Sequence, residues 1–189
     1  MELIFMLYFT ADLHLCHDDM RKIRGFENTD EMNEYIISRW NDTVEEDDDI
    51  YVLGDIVCGP PINAECYLKR LKGRKHFLIG NHDFGWMRKT PNYKDYFVSV
   101  KNIEYMFLDD AFLTLCHYPL LEWPGSSHFH KEKSYLIHGH IHSSRTTEAF
   151  PIIRDYLPDA FNCGVDINSF KPVTFDELVE NNKKWYGRK

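Results

Sequence analysis

The stretch His76-Phe77-Leu78-Ile79-Gly80-Asn81-His82-Asp83 runs from apolar residues into a glycine, then an amide, an imidazole and a carboxylate. A short apolar run that stops at a turn residue reads as a strand leaving its sheet. The same shape recurs along the chain. Leu3 to Phe9 precedes Asp12 and His14, and Ile50 to Leu53 precedes Gly54-Asp55. Phe112 to Leu115 precedes Cys116-His117, and Tyr135 to Ile137 precedes His138 and Gly139-His140-Ile141-His142. Glycines at positions 54, 80 and 139 suit a chain that turns sharply and passes close to whatever sits beyond the strand. Alternate residues of extended backbone point the same way, so the pairs Asp12/His14 and His140/His142 can each reach one centre. In open α/β sheets, ligands sit beyond the carboxyl ends of the strands, so these polar groups are expected to converge on one pocket.

Helical patterns separate the early strands. From Asp30 to Glu46, Met32, Ile36, Trp40 and Val44 repeat every four residues, and Thr29 or Asp30 can cap the free amides. Asn63 to Lys72 predicts a shorter helix closed by Gly73. Strands and helices that alternate in this way predict a parallel α/β sheet. The pattern then changes: Ile103 to Leu108 and Phe112 to Leu115 flank Asp109-Asp110, which predicts an antiparallel hairpin and a mixed or second sheet. Thr174 to Lys184 predicts a terminal helix capped by Thr174 or Asp176, and Tyr118 to Ser134 a long loop. There is no internal repeat or low-complexity linker, and 189 residues suit a single domain spanning 1–189.

The net charge of −8 repels a phosphate backbone, which makes long nucleic acid a disfavoured partner. Lys69, Arg70, Lys72, Arg74 and Lys75 crowd one stretch, as a basic face or as a solvated helix end. Five cysteines, Cys16, Cys58, Cys66, Cys116 and Cys163, contain no Cys-x-x-Cys pair and fit neither a disulfide framework nor a zinc ribbon, so a reducing cytoplasm is expected. The apolar opening run has no basic leader and is too short to span a bilayer, so no membrane association is expected.

Taken in order, Asp12-Leu13-His14, Gly54-Asp55, Gly80-Asn81-His82-Asp83, His117 and Gly139-His140-Ile141-His142 resemble the motif series of the calcineurin-like metallophosphoesterases. Each motif alone is weak, whereas five in the right order over residues 12 to 142 are specific. The resemblance implies a four-layer αββα sandwich, two mixed β-sheets flanked by helices, with a dinuclear metal site at the strand C-terminal ends. It implies that Asp12, His14, Asp55 and His142 hold one metal, and Asp55, Asn81, His117 and His140 the other, with Asp55 bridging. Two ions about 3.5 to 4 Å apart repel, which suits an anionic bridge. It further implies hydrolysis of a small phosphomonoester or phosphodiester, such as a nucleotide, by a hydroxide between the metals. His82 would be the general acid, with Asp83 orienting and charging it. The mixed nitrogen and oxygen donors favour manganese, iron, zinc, nickel or cobalt.

Structural readings stand beside these. Arg24 can clamp a phosphate oxygen or form a surface salt bridge. Trp86, Trp123 and Phe129 can stack on a planar group, with packing the more ordinary role. Cys16 and Cys116 read as packing beside the ligands. His17, His76, His128, His130 and His138 read as ordinary strand-end or loop histidines. A nuclease of the same family and a non-catalytic scaffold are the alternatives to a small-substrate hydrolase; a scaffold is expected to lose the residue at position 82, which here is histidine.

Overall fold

The computed structural model describes residues 5–59, 64–126 and 133–188. Its first sheet carries β1 (Leu7–Thr10), β2 (Asp49–Leu53), β3 (Arg74–Leu78) and β4 (Ser99–Lys101), in that order and all parallel. Helices α1 (Asp18–Arg24) and α2 (Thr29–Asn41) join β1 to β2, α3 (Glu65–Leu68) joins β2 to β3, and α4 (Asp83–Met87) follows β3. The second sheet is mixed. There β5 (Ile103–Leu108) pairs antiparallel with β6 (Ala111–Cys116), while β6, β7 (Lys133–His138) and β8 (Ala160–Asn162) run parallel. Helices α5 (Ala149–Tyr156) and α6 (Phe175–Tyr186) complete the order.

Strand periodicity sorts the core into layers. Phe9, Leu53 and Leu78 face Leu113, Leu115 and Ile137 between the sheets, whereas their neighbours Tyr8, Val52 and Phe77 point the other way onto Met32, Ile36 and Trp40 of α2. On the outer face of the second sheet, Leu136 and Ala160 meet Phe150 and Ile153 of α5 and Tyr186 of α6. This is the expected sandwich of two sheets between helices. Within it the first sheet is parallel throughout, and antiparallel pairing reaches it through a single bridge, Phe9 to Val173.

Several boundaries shift for physical reasons. The first strand starts at Leu7, and Phe5 and Met6 are exposed rather than part of a buried run; Leu3 and Ile4 lie outside the described residues. Asn28 caps α2 through Oδ1 accepting from the Glu31 N–H at 2.8 Å, which displaces Thr29 and Asp30 into the first turn. The same helix ends at Asn41, short of Glu46, because Asp48 accepts from the Glu45 and Met6 amides and turns the acidic run toward β2. Of Asn63 to Lys72 only α3 is helical, Asn63 being outside the described residues, and Gly73 at φ 90° leads into β3. Asp109-Asp110 makes the expected two-residue turn, with Leu108 opposite Ala111.

The basic stretch offers no free face: Lys69, Arg70, Lys72 and Arg74 pair with Glu65, Glu34, Glu45 and Asp49, and Lys75 donates to two carbonyls. All five cysteines are free thiols. Among the described residues no helix is long and apolar enough to cross a membrane.

Thr174 closes a reciprocal capping box with Glu177 at the start of α6, the helix that packs on β1 and β8. Thr174→Ala is expected to cost about 1 kcal/mol, lowering the thermal midpoint by about 2–4 °C in a scanning calorimeter.

Candidate metal centre

All five polar strand ends meet at one end of the sandwich. Backbone bonds lock the first two together: Asp12 donates to the Gly54 carbonyl at 3.0 Å and His14 to the Asp55 carbonyl at 2.9 Å. Asp12, His14, Asp55, His140 and His142 all have positive φ, between 50° and 73°. Left-handed backbone costs a non-glycine residue about 1–2 kcal/mol, so each of these turns is held against its own preference. Close approach explains the glycines. A Cβ at Gly54 would lie 2.5 Å from His117 Nδ1, and one at Gly80 would collide with Asp55 Oδ1.

The side chains then converge. Asp12, His14 and His142 bring ligand atoms within 4.8 Å of one another, and so do Asp12, Asp55 and His117. Asp55 Oδ2 lies between two imidazoles, 3.6 Å from His14 Nε2 and 3.5 Å from His117 Nε2. These spacings are too long for hydrogen bonds and suit groups gathered round a shared cation. Both ring nitrogens of His14 are buried without a hydrogen-bond partner. His117 Nδ1 lies 2.7 Å from the Leu53 carbonyl, so it carries the ring proton, and the Nε2 lone pair faces Asn81 Oδ1 at 3.0 Å. His142 Nδ1 meets Asp166 Oδ2 at 2.9 Å, which frees Nε2 in the same way. Asn81 and His140 stand exposed at the mouth; the His140 ring centroid is 5.2 Å from that of His117.

Acceptors without donors, two buried carboxylates and three imidazoles presenting free lone pairs form a donor set that fits divalent transition metals. Electrostatics agrees at Asp12, Asp55, His14 and His117, whereas at His142 burial is outweighed by the Asp166 hydrogen bond and by Asp12, which raise it. Burial is the main cause that lifts the Asp12 carboxyl to about 7, and burial also raises Asp55 despite the His82 amide that donates to it. Burial and the neighbouring imidazoles hold His14 well below the ordinary histidine range, and burial also lowers His117, which favours the neutral, ligating form of both.

Two expected site residues do something else. Arg24 is neither a phosphate clamp nor a surface ion pair. Its buried guanidinium binds both oxygens of Asp166, the carbonyls of Asp12 and Leu13, and Met32 Sδ, which leaves no N–H for a substrate. Asp83 does not orient the His82 ring: its oxygens accept from the Asp55, Ile56 and Gly80 amides and from Trp86 Nε1, a clamp that joins two strand ends.

Asp166 escaped the sequence reading. It follows β8 in Asn162-Cys163-Gly164-Val165-Asp166, a sixth strand end carrying a carboxylate, but β8 is three residues long and too brief to show a pattern. Burial raises the Asp166 carboxyl, yet His142 and Arg24 outweigh burial and hold it below the ordinary value. His17, read as ordinary, sits beside the site with its ring 5.3 Å from His14 and 5.9 Å from His82. His138 is a buried strand-end histidine, as expected, kept neutral by burial that lowers it to about 4. His76 packs on Tyr51 and bonds to Asp49. Trp86 and Trp123 are core residues, Cys116 is buried, and Cys16 bonds to the Tyr67 hydroxyl. Phe129, His128 and His130 lie outside the described residues.

The Asp12 carboxyl gives a signed test in metal-free protein. Its folded value, about 7, exceeds its unfolded value of 3.8, so its contribution is favourable at low pH and is lost as pH rises through that window. Asp12→Asn, without metal, is therefore expected to gain stability over the parent protein between about pH 4 and pH 7, by a few kcal/mol. Urea titrations at several pH values measure the difference; a constant offset contradicts the account.

Comparison with known proteins agrees with the site. A family profile described as calcineurin-like phosphoesterase matches residues 5–185. An uncharacterized protein of Methanocaldococcus jannaschii is 29% identical over 179 residues, covering 92% of this chain and 89% of the relative. The Gene 66 protein of Mycobacterium phage L5 is 34% identical over 80 residues, 40% of this chain and 39% of the phage protein. A crystal structure of a protein of unknown function from Aquifex aeolicus shares the fold, with a TM-score of 0.67 at 23% identity over 94% of this chain and 99% of that one. With the profile spanning nearly the whole chain and the Asp/His groups in place, the protein belongs to the calcineurin-like phosphoesterase family, whose members are metal-dependent phosphoester hydrolases.

Proposed function

We propose that this chain hydrolyses a small phosphate ester, a monoester or diester such as a nucleotide, using two divalent transition-metal ions. The observation that carries the reading is Asp55 Oδ2 standing between His14 Nε2 and His117 Nε2 at 3.6 and 3.5 Å, the position of a bridging ligand. With Asp55 shared, Asp12, His14 and His142 would hold one ion, and Asn81, His117 and His140 would hold the other. When bound, the ions supply Lewis acidity toward the phosphoryl oxygens and make nearby water acidic.

The chain's own residues supply the rest. Arg24 and Asp166 hold the Asp12 turn and the His142 ring in place before any metal binds. Asp83 fixes Gly80 and Asp55 relative to each other. His82 is tied down through its backbone, its N–H donating to Asp55 Oδ1 at 2.8 Å, while its ring stays exposed with its centroid 5.3 Å from that of His14. In the reaction a water oxygen bonds to phosphorus as the water releases a proton to solvent, and the ester P–O bond breaks. His82 gives its proton to the departing oxygen and recovers one from solvent. A small substrate suits the net charge of −8 and a basic stretch in which four cations pair with carboxylates and Lys75 bonds to carbonyls. The five free thiols suit a reducing compartment such as the cytoplasm.

Metal-stripped protein reloaded with manganese is expected to hydrolyse p-nitrophenyl phosphate or bis-p-nitrophenyl phosphate, the preferred compound separating monoesterase from diesterase. His82→Ala is expected to lower kcat by about 10²–10⁴ on esters with poor leaving groups and to keep its bound metal. Loss of metal along with activity would reassign His82 as a ligand.

A further inference from the structure

Beside the metal donors lies a cavity of about 370 Å³, with His17 and His82 in its wall, Val57 and Trp86 among its apolar lining, and Asp18 and Asp19 also bordering it. Its size falls in the range of small-molecule sites. His82, the proposed proton donor to the departing oxygen, stands in the cavity wall, so the alcohol it protonates would lie against this space.

The state of His17 is set by its neighbours. Its Nδ1 accepts the Met20 N–H at 3.1 Å and caps α1. The capping nitrogen must carry a lone pair, so in the neutral ring the proton sits on Nε2. That Nε2 has no partner among the described residues. The ring is therefore a hydrogen-bond donor of fixed tautomer, 5.9 Å between centroids from the ring of His82. An ester whose alcohol is plain hydrocarbon would leave this N–H unused. One whose alcohol carries further oxygens would satisfy it; the nearby Asp18 and Asp19 carboxylates are engaged by Arg21 and Lys22, so the selecting group is His17.

We infer that this cavity seats the departing alcohol, and that His17 Nε2–H selects alcohols bearing a second oxygen beyond the ester oxygen, as polyols and sugars do. The inference rests on the hydrolase reading and on His82 facing the leaving group. It makes His17 a specificity residue, distinct from the metal donors and from the proton donor.

Two arms test it. His17→Ser keeps a side-chain oxygen to cap α1 and removes the imidazole, so its thermal midpoint is expected to stay close to that of the parent. In the manganese enzyme, the ratio of kcat/KM for glycerol 2-phosphate over isopropyl phosphate, which share a carbon skeleton, is expected to fall about tenfold in the variant. An unchanged ratio overturns the proposal. The second arm needs no turnover and is decisive even if the variant fails to fold: in protein labelled with ¹⁵N-histidine, ribose is expected to move the His17 Nε2 resonance and inorganic phosphate to leave it in place. No response to ribose, or an equal response to phosphate, overturns the proposal. A ribose response in a protein that turns over no phosphate ester would sink the hydrolase reading and leave the alcohol subsite standing.

Discussion

Two carboxylates, Asp12 and Asp55, sit buried in the crevice between the strand ends, and among the described residues no lysine or arginine pairs with either side chain. Burying an ionised carboxylate without a partner costs several kcal/mol, and here burial raises both carboxyls while Asp55 adds to the rise at Asp12. A protein does not retain such a pair for stability. The arrangement becomes favourable when divalent cations join it, because the same low dielectric that penalises the bare charges strengthens their hold on metal.

Much of the surrounding structure serves to keep those groups in place. Five of the donor residues accept left-handed backbone conformations, glycines at positions 54 and 80 let two strand ends touch, and Asp83 bolts those ends together through four hydrogen bonds. Arg24 and Asp166 form a second support on the opposite side, where a buried ion pair satisfies the Asp12 and Leu13 carbonyls and fixes the tautomer of His142. Neither Arg24 nor Asp83 touches substrate in this account. Both act by pre-ordering the donors, which lowers the entropy lost when metal binds.

The legibility of the sequence follows from how much local pattern each element carries. Apolar runs that stop at polar residues or glycine announced β1, β2, β3, β6 and β7, and with them Asp12, His14, Asp55, His117 and His142, because strand ends in an α/β sheet converge by topology. The period-four stripe Met32, Ile36, Trp40 announced α2, and Thr174, one of two candidate caps beside Asp176, announced the start of α6, while the reciprocal bond from Glu177 is seen only in the fold. Helix ends were misjudged where a distant side chain decides them, as Asp48 does beyond α2. The three-residue strands β4 and β8 and the short helix α1 carry too few residues to show a period. Roles that depend on contacts far apart in sequence were likewise invisible: Arg24 meets Asp166 across 142 positions, and only the fold shows that this arginine faces inward.

The account depends on the crevice holding two cations with Asp55 between them. Equilibrium dialysis of the metal-stripped protein against manganese, followed by inductively coupled plasma mass spectrometry, reads the stoichiometry directly. Two manganese ions bound per chain is the result predicted here; a single ion, or none, would contradict the bridged centre.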